Sequence, residues 1–183
     1  MINCHIPVKF QISTDLLGQC GLRKASRTQR NSQQFSNAEL VVKNYETSVL
    51  KETEANNQTV EQHTRKMVQM QHLARNFAAQ LTQVVLNQDL RDLFGETFSY
   101  KTIYLGKLPD GEFVTVEEFV ERKMGKFVNN DGTSYGNKGD MVLQKAESLV
   151  RFSYEKSNYE VMLLDVQGVD YELFDPEVPL LSY

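Results

Sequence analysis

Asp165-Val166-Gln167-Gly168-Val169, followed by Asp175-Pro176, puts two carboxylates and a carboxamide within a short span of chain. Such hard oxygen donors suit magnesium, which keeps several waters and is usually shared with substrate phosphates. The apolar residues Val161, Met162, Leu163 and Leu164 read as a short buried strand that delivers Asp165, and Gly168 reads as a turn after it. Taken alone, the pair Asp165 and Asp175 is open to two readings: metal ligands, or a strand terminus and an ordinary Asp-Pro turn.

Other residues upstream carry weaker signals of the same kind. Lys43 lies inside the apolar stretch Leu40-Val41-Val42-Lys43, where lysine is unusual. It reads either as an edge-strand or snorkelling lysine or as a cation aimed at a phosphate. Gly18 and Gly21 with Arg23 form either a phosphate-covering loop or a simple turn. Glu117 and Glu118 end a strand and could be only a solvated face. His63 and His72 are too far apart on a helix for an i, i+4 metal pair.

The elements that must position these groups follow from pattern. Residues 8–12 alternate weakly, residues 17–23 read as a glycine-containing loop, residues 27–37 as a polar hairpin loop, and residues 39–45 as a β-branched strand. A long helix then begins after a cap at Asn56, Asn57 or Thr59. Its apolar stripe is Val60, Met67, Met70, Ala74, Phe77, Leu81 and Val84, with a break expected near Gln80. Residues 102–105 and 113–117 read as strands joined by the turn Leu108-Pro109-Asp110-Gly111. Residues 119–124 read as a helical turn, 127–132 as the start of a loop, 141–151 as a helix and 152–169 as two strands joined near Ser157. Runs of strands broken by helices, without regular βαβ alternation, define an α+β protein.

Composition sets outer limits. The chain has 183 residues, 40% of them hydrophobic and 24% charged, which fits one domain or two small lobes. A net charge of -4 gives no general electrostatic case for nucleic acid or an anionic membrane. No apolar run approaches the roughly 18 residues of a membrane span, and the N-terminus lacks a signal-peptide pattern. Cys4 and Cys20 are the only cysteines. They form neither a disulfide framework nor a zinc pattern, so free thiols and a cytoplasmic location are expected.

The order of these parts is a glycine-containing loop, a strand lysine, a long helix, two strands into an acidic linker, then a strand aspartate and a second aspartate. That order suits nucleotide-dependent phosphoryl transfer. At this point the sequence resembles the alpha-kinases, the atypical protein serine/threonine kinases. The resemblance rests on the Asp165 block with Asp175-Pro176, on Val116-Glu117-Glu118-Phe119 and on Phe127-Val128-Asn129-Asn130-Asp131-Gly132. It rests also on Val41-Val42-Lys43, on Gly21-Leu22-Arg23-Lys24-Ala25 and on the helix from His63 to Ala78.

The resemblance implies a two-lobed protein-kinase-like fold in a single domain, 1–183. The N-lobe, an antiparallel sheet with a long helix, would run to about residue 115, and a hinge and partial C-lobe would occupy about 116–183. It implies Lys43 on the ATP phosphates, Gly21 and Arg23 beside them, and Glu117 and Glu118 at the adenine hinge. Asp165 would be the catalytic aspartate, with Lys43 as its catalytic partner, and Gln167 and Asp175 would be magnesium ligands. ATP and magnesium are the implied cofactors, and a protein with a Ser/Thr acceptor is the implied partner, with no nucleic acid and no membrane. The family's further segment, with a glycine-rich loop and a His/Cys zinc site, is not met before Tyr183, and Arg151 stands where a zinc histidine would be. An incomplete C-lobe without zinc is therefore expected. The alternative to a kinase is an ATP-binding pseudokinase or truncated regulatory domain.

Overall fold

A computed structural model of the chain describes residues 8, 10–20, 23–30, 39–120 and 124–179. Cys4, Gly21, residues 31–38 of the expected hairpin loop and residues 121–123 of the expected helical turn lie outside the described residues. In chain order the elements begin with β1 (Phe10–Cys20), β2 (Arg23–Arg30), β3 (Leu40–Tyr45), α1 (Thr47–Ala55), α2 (Val60–Asn87) and α3 (Arg91–Phe94). They continue with β4 (Ser99–Tyr100), β5 (Ile103–Lys107), β6 (Phe113–Glu118) and β7 (Gly125–Val128), then α4 (Met141–Lys156), β8 (Val166–Val169) and β9 (Glu172–Leu173). They form two compact units. One contains the described residues up to Lys66 with Ile103–Phe119; the other contains Met67–Thr102 and the described residues of Val120–Tyr183.

The first unit is built on an antiparallel sheet of order β1-β2-β3-β6-β5. The expected loop over residues 17–23 is largely strand: Gly18, Gln19 and Cys20 pair with Ala25, Lys24 and Arg23. The pairing continues to the described ends of both strands. Leu40, Val42, Val114 and Val116 make the apolar side of this sheet, as the alternation of β3 and β6 dictates. The turn between β5 and β6 forms as read, with Gly111 at a φ of 94° that a side chain would resist.

Helix α2 starts at a reciprocal cap. Thr59 Oγ1 accepts from the Gln62 amide at 3.1 Å, and Gln62 Oε1 accepts from the Thr59 amide at 2.9 Å, satisfying two helix-end donors at once. The helix runs 28 residues without the expected break near Gln80. Its continuity follows from burial of Ala74, Phe77, Ala78 and Val85 along one side, since tertiary packing outweighs the limits on isolated helices.

The second unit holds a sheet of order β4-β9-β8-β7, antiparallel except for the β4/β9 pair. Its core gathers Phe77, Phe98, Tyr100, Val128, Leu149, Leu163, Val166 and Leu173. Helix α4 is capped by Asp140, whose Oδ1 accepts from the Val142 amide at 2.9 Å. It continues to Lys156, so residues 152–156 are helical and not the first half of a strand pair. Leu149 and Ser153, one turn apart, are both fully buried, and Ser153 Oγ accepts from the Leu163 amide at 2.9 Å. That packing overrides the β-like local composition. Val161, Leu163 and Leu164 are buried as expected and Met162 is half-buried, but the run forms isolated bridges at Val161 and Leu164, the latter to Glu177, and not a strand.

Gly168 is a strand residue, not a turn. It pairs with Leu173, and a Cβ there would stand 2.1 Å from the Glu172 carbonyl oxygen and 2.9 Å from Leu173 Cα. The turn lies instead after Val169, where Asp170 has a φ of 52°. Gly168→Ala should therefore destabilise the protein by roughly 3 kcal/mol, as backbone overpacking does. Gly139→Ala, where a Cβ meets nothing within 4 Å, should leave the urea midpoint nearly unchanged. Equal midpoints for the two variants would refute the close-approach reading.

Candidate active site

The first unit places Arg23, Lys43 and Glu117 on one side of its sheet. Lys43 lies opposite Ala25 on β2 and Thr115 on β6, while Arg23 lies opposite Tyr45 and Glu117 opposite Val41. Directly opposed residues share a face, and so do residues two apart. Lys43 Nζ is ion-paired with Glu117 Oε1, and the two side chains are only 14% and 9% exposed. Lys43 is therefore neither an edge nor a snorkelling residue, because β3 is an interior strand of the sheet. Glu118 falls on the opposite face, across from Leu40, and is exposed. The expected pair Glu117 and Glu118 is thus divided: one is the counter-ion of Lys43, and the other closes the strand just before Phe119, whose amide donates to the Glu39 carbonyl at 2.7 Å.

His63 packs edge-on against Tyr45 with ring centroids 5.1 Å apart. Burial, then the positive charges of Arg23 and Lys66, hold the imidazole below its usual range. His72 is exposed.

The second unit gathers the acidic set. Leu164 and Glu177 exchange backbone hydrogen bonds of 2.8 and 3.1 Å, which brings the chain after Asp175 back beside Asp165. Gln167 then bridges the two: its Nε2 donates to Asp165 Oδ2 at 3.0 Å and to the Asp175 carbonyl at 3.3 Å. Asp165 and Asp175 both adopt left-handed backbone, with φ of 52° and 50°. Aspartate tolerates this conformation better than most residues, yet it costs on the order of 1 kcal/mol and clusters at functional sites. The Asp165 amide donates to the Asn129 carbonyl at 3.3 Å, so the turn after β7 also fixes its backbone.

Lys126 completes this set and was not among the sequence candidates. It stands opposite Gln167 on β7, and its Nζ lies 2.7 Å from Asp165 Oδ1. The contact is an ion pair, and Oδ1 is buried without a hydrogen bond from the described residues. The one available signal was a lysine opening the strand Lys126-Phe127-Val128 that leads into the asparagine-rich turn. Burial and, to a lesser extent, the Asp165 charge push the Tyr100 phenol above its ordinary range.

The donors suit magnesium. Among the described residues no three His, Cys, Asp or Glu side chains converge on one point, so a cation here would need the Gln167 carboxamide and oxygen atoms from a substrate. One or two carboxylates completed by phosphate oxygens is how magnesium is commonly held. The two units thus separately carry a strand lysine with its glutamate and a hydrogen-bonded aspartate set, the two kinds of apparatus that phosphoryl transfer uses.

The Alpha-kinase family model matches residues 18–182, and the chain belongs to the alpha-kinase family. Its fold is similar to that of the alpha-kinase domain of myosin heavy chain kinase A in complex with ADP, with a TM-score of 0.71 and 16% identity over 92% of this chain and 73% of that chain. The same kinase's domain in complex with AMP-PNP gives 0.71 and 16%, over 93% and 74%. The C-terminal truncated alpha-kinase domain of myosin heavy chain kinase gives 0.70 and 16%, over 93% and 76%. No curated protein matches the sequence. No helix among the described residues is long and apolar enough to cross a membrane.

Truncating one partner of the Lys43/Glu117 pair leaves a charge behind in a mostly buried position. Lys43→Met and Glu117→Gln should each destabilise by about 3 kcal/mol, whereas the double variant should cost well under their sum. Thermal melts of the four proteins measure this coupling, and additive losses would argue against it.

Proposed function

We propose that the chain transfers the γ-phosphoryl group of ATP to a Ser or Thr hydroxyl of a protein substrate, with magnesium as the cation. The observation that carries this reading is the drawing together of Asp165, Gln167 and Asp175 by the Leu164/Glu177 bridge and the Gln167 amide. Membership of the alpha-kinase family and likeness to a kinase domain bound to ADP and to AMP-PNP support the nucleotide.

In this reading Lys43, held extended by Glu117, supplies a fixed positive charge to the nucleotide phosphates. Arg23 shares its sheet face, and it serves the phosphates together with Gly21. Glu118 and the backbone that follows serve the adenine. Asp165 accepts a hydrogen bond from the acceptor hydroxyl and orients its oxygen for in-line attack, taking the proton as the new bond forms. Lys126 stands beside that carboxylate as its counter-ion. Gln167 and Asp175, with Asp165 beside them, would hold magnesium, which supplies neutralisation of phosphate charge when bound.

ATP turnover on a generic protein acceptor tests this. Asp165→Ala should lower phosphoryl transfer by on the order of 10²–10⁴-fold, the usual contribution of a positioned base, and equal rates would sink the kinase reading. A rise in melting temperature with Mg-ATP but no transfer by the unaltered chain would instead identify the ATP-binding pseudokinase.

A further inference from the structure

Tyr100 is 3% exposed, and its hydroxyl makes no hydrogen bond with any described residue. A buried hydroxyl left so is costly, and phenylalanine would fill the same space without that cost. The residue is also firmly placed. Its backbone pairs with Leu173 in the parallel β4/β9 ladder, and the next amide, of Lys101, donates to the Leu173 carbonyl at 2.8 Å. Its ring packs in the cluster that contains Leu163, Val166 and Leu173, and Leu163 and Val166 bracket Asp165 in the chain. Asp165 Oδ1 and Gln71 Oε1 are also buried in this unit without a hydrogen bond from the described residues, and of the two only Asp165 carries a charge. The carboxylate oxygen can only accept, and the phenol has a hydrogen to donate to it.

We propose that the Tyr100 hydroxyl is a positioning donor for the Asp165 carboxylate, reaching Oδ1 through one water. The inference rests on the kinase reading of Asp165. Burial and the negative charge of Asp165 keep the phenol protonated, so it stays a donor at any ordinary working pH. Its function follows from what else holds Asp165. Lys126 is a flexible cation that attracts Oδ1 but does not direct it, and Gln167 holds only Oδ2. A rigid donor on the core side would fix the plane of the carboxylate. Tyr100 acts through Asp165 and is not expected to touch nucleotide or acceptor.

Tyr100→Phe tests this, because it removes one oxygen and keeps the ring. The full chain and the variants Tyr100→Phe, Asp165→Asn and the double variant are compared in thermal melts and in steady-state phosphoryl transfer. The expected result is a roughly 10-fold lower kcat for Tyr100→Phe, with KM for ATP unchanged and a melting temperature equal or higher. A core substitution that merely loosened the fold would lower the melting temperature and disturb KM as well. The melts should also show coupling: the effect of Tyr100→Phe in the presence of Asp165 should differ from its effect in the Asp165→Asn background. Unchanged kcat in an otherwise active Tyr100→Phe protein, or additive shifts in the melts, would overturn the proposal. Should the unaltered chain itself show no transfer, the kinase reading fails. The melting cycle then still decides: additive shifts overturn the link from Tyr100 to Asp165, and coupled shifts uphold it.

Discussion

Leu164 and Glu177 exchange both of their backbone hydrogen bonds, and the chemistry of the second unit depends on that bridge. Between them the chain must leave Asp165, traverse β8, turn at Asp170, return along β9 and pass Asp175. The loop is tight, and it closes only because the backbone bends sharply at three aspartates, Asp165, Asp170 and Asp175, each at positive φ. Gly168 lets β8 and β9 approach to a separation that no side chain would permit. The strain at Asp165 and Asp175 and the absence of a Cβ at Gly168 are thus parts of one arrangement. It brings oxygen atoms that lie apart in sequence to the amide nitrogen of a single carboxamide.

The first unit solves a different problem, that of keeping a lysine useful inside a sheet. An ammonium on an interior strand is costly unless it is paired. Glu117 pairs it from the neighbouring strand, and the apolar residues of β3 and β6 that alternate with the pair face the other way. A pair buried on one side of a two-faced sheet gives direction more than stability. The ammonium is aimed by the register of β3 on β6, not by its own flexible stem.

How much of this was legible from sequence varied with the range of the interaction. The strand around Lys43, the turn at Gly111 and the start of α2 are set by local chemistry, and they fell where the residues placed them. The extension of α4 was not legible, because Phe152, Ser153 and Tyr154 favour a strand locally and only the burial of Ser153 against Leu163 makes them helical. Glu117 and Glu118 looked equivalent side by side, and only the pairing of β3 with β6 separates them. Lys126 was missed for the same reason: its partner Asp165 is remote in sequence, and the register of β7 on β8 is what joins them. The carboxylate set itself was legible because its members share one short span.

The two compact units are interleaved along the chain. Ile103–Phe119 belongs to the first unit, yet it is flanked on both sides by segments of the second. The sheet of the first unit therefore lacks β5 and β6 until the chain has already supplied α2 and β4, and β4 waits in turn for β9, near the end of the described chain, as its partner. Neither unit can be cut out as one continuous peptide, and a chain emerging in order cannot finish one before beginning the other. Lys43 meets its counter-ion only after this excursion, and Tyr100 gains its strand partner later still. The order of synthesis thus makes each unit dependent on sequence that passes through the other.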